Sequence, residues 1–259
     1  MTDNLKTMTT SDKIKTVVIA FSALLVNRTV NITLGYIISE AVIVNLVSNV
    51  ITIVLGGLYI STVLKYPKEW NNPSRAFLLR SLATILMFVL TSMFTSTFLL
   101  TNVINDTAYM SSLDSKAALP AGLYALSLCT SIIIAPITEE IMYRGFLYKQ
   151  LTEFNKTTAL IISSIVFALC HGTIIHLYTA LLGGLILGCI YEKTKKLRYS
   201  IIAHMMFNGL SSVLCLLHYP AVFTSVWFIV IMHVLCVGAM VMLFKTEGTP
   251  SVKGATERR

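Results

Sequence analysis

Long apolar runs with very few charged residues recur along this 259-residue chain, and they restrict its possible folds more than any other feature. Only 12% of the residues are charged, whereas soluble domains carry about a quarter. The mean hydropathy is +0.76. In lipid the backbone must satisfy its own hydrogen bonds, and long continuous runs do so as helices rather than as alternating barrel strands. The sequence therefore predicts an all-α fold, a polytopic bundle of transmembrane helices.

Eight apolar runs are candidate membrane spans, and most of them reach the roughly 20 residues that a helix needs to cross a bilayer. The predicted spans are residues 16–37, 41–64, 78–103, 120–137, 157–172, 174–191, 199–217 and 221–244. The fifth and sixth are shorter than the others, which is compatible with tilted or partly enclosed helices.

The basic residues predict the orientation of these spans. With eight spans, every lysine and arginine except Arg28 and Lys116 falls on one side of the membrane, which the positive-inside rule assigns to the cytoplasm together with both termini. The net charge of +8 is thereby explained by topology, so a lipid bilayer and no nucleic acid is the expected partner. Arg28 lies within the first run. We expect it at the outer end of a shortened span, in preference to an inward position paired with Glu40.

Ionisable residues interrupt the apolar runs of the second half, although such side chains are costly at membrane depth, by roughly 2.5–3.5 kcal/mol for an Asp, Lys or Arg. Thr138 is a candidate N-cap that places Glu139 and Glu140 in the first turn of a helix. Glu140 and Arg144 are four residues apart and can pair along one face. Glu139 then points about 100° away and becomes a candidate general base. The alternative, a helix cap at the membrane interface without chemistry, remains open.

Two further polar groups follow on later spans. His171 ends the fifth run, and Phe167, one turn earlier, could support its ring. His204 and Asn208 are four residues apart on the seventh run, so both can donate to a developing oxyanion. A packed histidine and an interhelical hydrogen-bond pair worth about 0.6 kcal/mol are the alternatives.

If these groups face inward, they provide what a hydrolase requires: a base, polarising groups and oxyanion donors in a site that excludes water. The predicted topology opposes this in one respect. It puts Glu139 near the inner end of span four and His171 near the outer end of span five. A common pocket therefore predicts tilted, broken or re-entrant helices in this region.

The motifs resemble those of the CAAX protease and bacteriocin-processing (CPBP) family, also called Abi proteins. The family pattern is EExxxR, then FxxxH, then HxxxN, each on a transmembrane helix. The matching residues are Glu139, Glu140 and Arg144, then Phe167 and His171, then His204 and Asn208. The resemblance covers about residues 120–216, so we divide the chain into spans one to three (1–119), a catalytic helix core (120–216), and the last span with a disordered tail (217–259).

The resemblance implies a glutamate-dependent intramembrane endopeptidase. Glu139 and His171 would activate the attacking water, and His204 and Asn208 would stabilise the oxyanion. The implied catalytic set is Glu139, Glu140, His171, His204 and Asn208, with Arg144 and Phe167 shaping the site. A zinc ion held by Glu139, His171 and His204 is an alternative, but no HExxH motif is present, so the metal-free route is preferred.

The substrate is expected to be a peptide or a membrane-protein segment. The chain is compact and rich in Ile, Asn and Lys, which is typical of a bacterial cell-membrane protein, and a prenylated CAAX tail is therefore not the expected substrate. Two other functions compete. One is a non-catalytic scaffold or bacteriocin self-immunity protein on the same fold. The other is a transporter, which is disfavoured because the polar residues are concentrated in one half of the chain.

Overall fold

The computed structural model describes residues 10–62, 72–104, 106–215 and 225–246, and every regular element in this part of the chain is a helix. In chain order the helices are α1 (Thr10–Ile37), α2 (Ala41–Thr62), α3 (Arg75–Asn102), α4 (Thr107–Ala117), α5 (Ala121–Leu151), α6 (Lys156–Leu169), α7 (Ile174–Thr194), α8 (Leu197–Leu214) and α9 (Val226–Lys245).

The predicted polytopic helical bundle is confirmed. Within the described ranges, six helices are long and apolar enough to cross a membrane, namely α1, α2, α3, α5, α7 and α9. Helix α6, which is shorter, overlaps the fifth predicted span, and helix α8 overlaps the seventh. The ends of three predicted spans, residues 63–64, 216–217 and 221–224, lie outside the described residues. The count of eight spans and the cytoplasmic position of both termini stay predictions.

Large apolar side chains cover the outside of these helices. On α9, for example, Trp227 is 79% exposed and Val234 is 67% exposed. A soluble protein rarely exposes a contiguous apolar surface of this kind, whereas lipid tails solvate it without penalty. Buried hydroxyls such as those of Thr84, Thr91 and Ser92 on α3 lie instead on the inward face of their helix.

Side-chain caps begin several of the helices. Ser74 accepts a hydrogen bond from the Phe77 amide at the start of α3, and Asn155 accepts from the Thr157 and Thr158 amides at the start of α6. Each cap satisfies donors that the first turn of a helix otherwise leaves without an intrahelical partner. The cap at Asn155 sets the register of α6, whose far end carries His171.

The chain divides into two compact units, residues 1–66 with 104–188, and residues 67–103 with 189–259. In the first unit, α1 and α2 pack against α5. The rings of Tyr59 and Phe146 stack with centroids 4.4 Å apart. Close approach of α2 to α5 requires a glycine, because a Cβ on Gly56 would lie 2.6 Å from Cγ2 of Ile141.

In the second unit, α9 lies along α3. The Thr91 hydroxyl on α3 donates to the Met87 carbonyl in its own helix and also approaches the Met232 carbonyl of α9 at 3.3 Å. Nearby, the rings of Phe94 and Phe228 pack edge to face with centroids 5.1 Å apart. Hydroxyls and aromatic pairs of this kind join helices where water is absent and hydrophobicity alone gives no drive to associate.

Candidate functional site

Helix α5 carries the first motif in its middle rather than at its start. It continues from Ala121 to Leu151, and its two π-helical stretches, Thr130–Ile134 and Ile141–Tyr148, flank the glutamates. The predicted end of span four at residue 137 and the predicted N-cap at Thr138 are therefore wrong. Pro136, Thr138 and the two glutamates that follow are typical of a helix start. In the structure they lie within a continuous helix, which packs against α2 at this point.

The Thr138 side chain shows how this happens. Its hydroxyl is directed at the Ile134 carbonyl of its own helix at 3.1 Å and at the Asn49 carbonyl of α2 at 3.3 Å, so it does not accept from a backbone amide. Pro136 has no amide hydrogen to donate to a carbonyl of its own helix. π-Helical turns such as those on either side of the glutamates are rare in general but are frequently found at functional sites. Glu139 is thereby held within the span.

Glu140 and Arg144 form the ion pair that their spacing predicted. Arg144 donates from Nη1 to Oε1 of Glu140 over 2.8 Å, and the exposed fractions of the two side chains are 1% and 0%. The second guanidinium nitrogen, Nη2, donates to the Gly184 carbonyl of α7 over 2.9 Å. A buried pair of this kind is a specific constraint, since loss of either partner leaves an uncompensated charge in the core. It fixes α5 to α7.

Phe167 connects this ion pair to His171. The guanidinium carbon of Arg144 lies 4.9 Å from the centre of the Phe167 ring, in a cation–π contact. The Phe167 ring in turn packs against the His171 imidazole with centroids 4.5 Å apart. Gly184 of α7 makes this packing possible, because a Cβ there would lie 3.3 Å from Phe167 Cδ1 and 3.2 Å from the Ser164 Cα.

The His171 ring has a defined orientation. Its Nδ1 lies 2.7 Å from the Phe167 carbonyl, and because a carbonyl can only accept, the contact assigns a proton to Nδ1. In the neutral imidazole, Nε2 is then the basic nitrogen. Gly172 follows with φ of +77°, the left-handed conformation that ends a helix most readily at glycine. The helix end therefore presents His171 rather than burying it.

Glu139 and His171 line the same cavity of the first unit, which has a volume of about 750 Å³. The predicted topology had placed these two residues near opposite sides of the membrane. The structure does not separate them in this way, because α5 extends beyond residue 137 and Glu139 lies well inside the helix. The structure thus brings together two of the five predicted catalytic residues. Glu140 lies in the ion pair next to them.

His204 and Asn208 lie on α8 in the second unit, one helical turn apart. Their neighbour Phe207 stacks on Phe88 of α3 with ring centroids 5.1 Å apart, which fixes the rotation of α8 within that unit. Their part in oxyanion binding stays a prediction.

A zinc site would need three side-chain ligands close together. Within the described ranges, no group of three or more His, Cys, Asp or Glu side chains is placed to hold a metal ion. The absence of a metal requirement stays a prediction.

Sequence reasoning missed the part of the cavity wall that α1 and α2 contribute. Five polar residues of α1 and α2 line it beside Arg28: Asn27, Asn31, Asn45, Ser48 and Asn49. Helix α1 continues past Arg28 to Ile37, and the expected position of Arg28 at the outer end of a shortened membrane span stays a prediction. Two asparagine pairs at i, i+4 spacing within apolar runs were the signal that could have identified this face.

Comparison with known proteins agrees with the motif analysis. Residues 120–210 match the family described as type II CAAX prenyl endopeptidase Rce1-like. The protein named "Putative membrane peptidase YdiL" of Bacillus subtilis (strain 168) is 37% identical over 86 residues, 32% of this chain and 34% of that protein. The UPF0177 protein YxdF of Lactococcus lactis subsp. lactis (strain IL1403) is 30% identical over 122 residues, 47% of this chain and 64% of that protein. No solved structure gives a significant match.

These matches confirm the resemblance predicted from the three motifs and the location in a bacterial membrane. The chain spans about a third of the length of the first relative and 64% of the second. Residues 120–210 include all seven predicted site residues, so the similarity coincides with the site.

Proposed function

We propose that this chain, a relative of the Rce1-like CAAX endopeptidases through residues 120–210, is an intramembrane endopeptidase that hydrolyses a bond in a peptide or a membrane-associated protein. The observation that supports the proposal is the shared cavity, which Glu139 of α5 and His171 at the end of α6 both line. A carboxylate and a histidine lining one cavity are the minimum set for activating water.

In the proposed reaction, Glu139 accepts a proton from a water molecule as the water oxygen attacks the substrate carbonyl carbon. His171 positions that water and polarises it through Nε2. The carbonyl becomes a tetrahedral oxyanion, which His204 and Asn208 stabilise by donating hydrogen bonds. The carbon–nitrogen bond then breaks, and the proton held by Glu139 passes to the leaving amine. An acid and an amine are released, so atoms and charge balance.

The surrounding residues have positioning roles in this proposal. The Glu140–Arg144 pair holds α5 against α7 and sets the direction of Glu139 on the adjacent position of the helix. Phe167 supports the imidazole, and its carbonyl accepts from Nδ1 so that the basic nitrogen remains available.

The test is hydrolysis of a library of apolar peptides by purified protein in nanodiscs, read by mass spectrometry. Wild type is expected to cleave a subset, while Glu139→Gln and His171→Ala lose the activity and keep the same elution profile and thermal stability. Glu153→Gln is the matched control, since Glu153 is exposed near the end of α5 and does not line the cavity. Failure of wild type to cleave any peptide, or full activity of Glu139→Gln, would refute the proposal.

A further inference from the structure

Two basic residues do not follow the positive-inside arrangement predicted for this chain. They are Arg28, within the first apolar run, and Lys116, in the segment assigned to the outer side. The structure places both on the wall of the cavity that Glu139 and His171 line. The two exceptions to the positive-inside rule, Arg28 and Lys116, thus lie at the candidate site, although neither belongs to one of the three motifs.

Arg28 is well inside the apolar segment of its helix. The candidate membrane segment of α1 runs over Ile14–Ile37, so the guanidinium is separated from both ends of the helix by more than two turns. Among the residues that the structure describes, none forms a hydrogen bond or ion pair with it. A charge at this depth is costly unless it faces a polar cavity or meets an opposite charge, and such residues mark binding or transport sites.

The cavity wall around Arg28 is polar, and its side chains are hydrogen-bonded to one another. Asn31 donates from Nδ2 to Oδ1 of Asn45 at 3.2 Å and to the Ser48 hydroxyl at 3.0 Å. Asn27 donates from Nδ2 to the Thr52 hydroxyl over 2.7 Å. These bonds tie α1 to α2 and hold the side chains in place before any ligand arrives.

Primary amides suit a peptide guest. Each amide side chain has two donor hydrogens and an acceptor oxygen, the same groups that an extended peptide backbone needs to satisfy in a membrane without water. The charges that face the cavity are two cations, Arg28 and Lys116, one carboxylate, Glu139, and the His171 imidazole. A guest that brings one negative group complements the cations.

We propose that Arg28 binds a carboxylate of the peptide substrate, and that the amide wall of α1 and α2 holds the adjoining peptide backbone. The inference rests on the proposed function and deepens it by naming the substrate class, an apolar peptide that bears one carboxylate. Repulsion by Glu139 keeps that carboxylate on the Arg28 side of the cavity, so the bound peptide presents an amide bond to the general base rather than its own acid.

The carboxylate has two sources, a free C-terminus or an Asp or Glu side chain, and four peptides of one apolar sequence separate them. The first has a free C-terminus and no acidic residue, and the second is its C-terminal amide. The third and fourth are amidated and carry Glu or Gln at one internal position. Binding of each to the full chain in phosphatidylcholine nanodiscs is measured by fluorescence anisotropy with an uncharged label.

Wild type is expected to bind one acidic peptide at least about tenfold more tightly than its neutral partner, the scale of a hydrogen bond to a charged group. Arg28→Gln removes that preference, Arg28→Lys keeps part of it, and the neutral peptides bind both variants as they bind wild type. Lys15→Gln is the matched control, because Lys15 lies on the same helix and outside the cavity.

Three results would overturn the inference: no preference for a carboxylate in wild type, an equal preference in folded Arg28→Gln, or loss of the preference when phosphatidylglycerol is added, which would assign the cation to a lipid phosphate. Hydrolysis of the same peptides is recorded separately. Binding preference without cleavage would contradict the proposed function alone, and cleavage without the Arg28-dependent preference would contradict this inference alone.

Discussion

The guanidinium of Arg144 lies 4.9 Å from the centre of the Phe167 ring, and this contact connects the buried ion pair of α5 with the histidine that faces the cavity. From Glu140 through Arg144 and Phe167 to His171, each side chain contacts the next. Two motifs that are separate in sequence thus form one packed row. Changes at any point in the row are expected to affect both stability and the candidate site.

The ion pair provides the first prediction. Arg144→Ala is expected to lower the free energy of unfolding by about 3–5 kcal/mol, because it leaves the Glu140 carboxylate buried without its cation. Replacing both residues with apolar ones, Glu140→Leu with Arg144→Met, is expected to cost much less than the sum of the single changes. Chemical denaturation in detergent gives the double-mutant cycle, and additive losses would show that the pair is not coupled.

The Phe167 ring provides the second prediction. Phe167→Leu is expected to reduce kcat about tenfold with a smaller change in KM, because the imidazole loses its aromatic support while an apolar side chain still occupies the buried position. Ile165→Ala on the same helix faces outward and is the control that should leave the rate unchanged. Steady-state hydrolysis of a cleaved library peptide measures both constants. An unchanged kcat in the Leu variant would exclude a positioning role for the ring.

Two adjacent glycines on α2 provide the third prediction. Gly56→Ala puts a methyl group 2.6 Å from Cγ2 of Ile141, a β-branched side chain that cannot move aside easily, and should destabilise the protein by about 1–3 kcal/mol. Gly57→Ala meets no atom within 4 Å and should be neutral or stabilising by up to about 1 kcal/mol. Thermal melting of both variants compares them directly. Equal losses would contradict the close approach of α2 to α5.

The fourth prediction concerns oxyanion binding. Asn208→Ala is expected to lower kcat by about 100- to 1,000-fold if the amide donates to the developing oxyanion, as loss of one such donor does elsewhere. Ser211→Ala, on the same helix α8, is the control that should retain activity. Single-turnover hydrolysis separates the chemical step from binding. A variant with raised KM and unchanged kcat would assign Asn208 to substrate binding instead.

The fifth prediction concerns zinc. Because no group of three ligands is gathered among the described residues, the purified protein is expected to contain well under one zinc ion per chain and to keep its activity in a chelator. Elemental analysis by mass spectrometry and hydrolysis after treatment with 1,10-phenanthroline measure the two quantities. Stoichiometric zinc with activity that chelation removes and zinc restores would favour the metal alternative with Glu139, His171 and His204.

Much of the site followed from local spacing. The Glu140–Arg144 pair and the support of His171 by Phe167 each join residues four apart on one helix, and helical geometry alone brings such residues together. The depth of Glu139 did not follow, because the same residues that suggest a helix start at Thr138 are accommodated within α5 by contacts from α2. The charged residues that follow residue 137 were interpreted as the end of span four, whereas in the structure Glu140 and Arg144 form a buried ion pair within α5.

The sequence by itself determined that this chain is a helical membrane protein and which residues carry the motifs, because hydropathy and residue spacing are local properties of the chain. Only the tertiary structure decided that Glu139, His171 and Arg28 share one cavity, since that depends on how α1, α2, α5 and α6 pack, and the sequence separations involved exceed any helical repeat. The physical reason is that the free-energy cost of a polar residue in an apolar run can be estimated from the sequence. The partner or polar cavity that offsets this cost is brought near only when the chain folds.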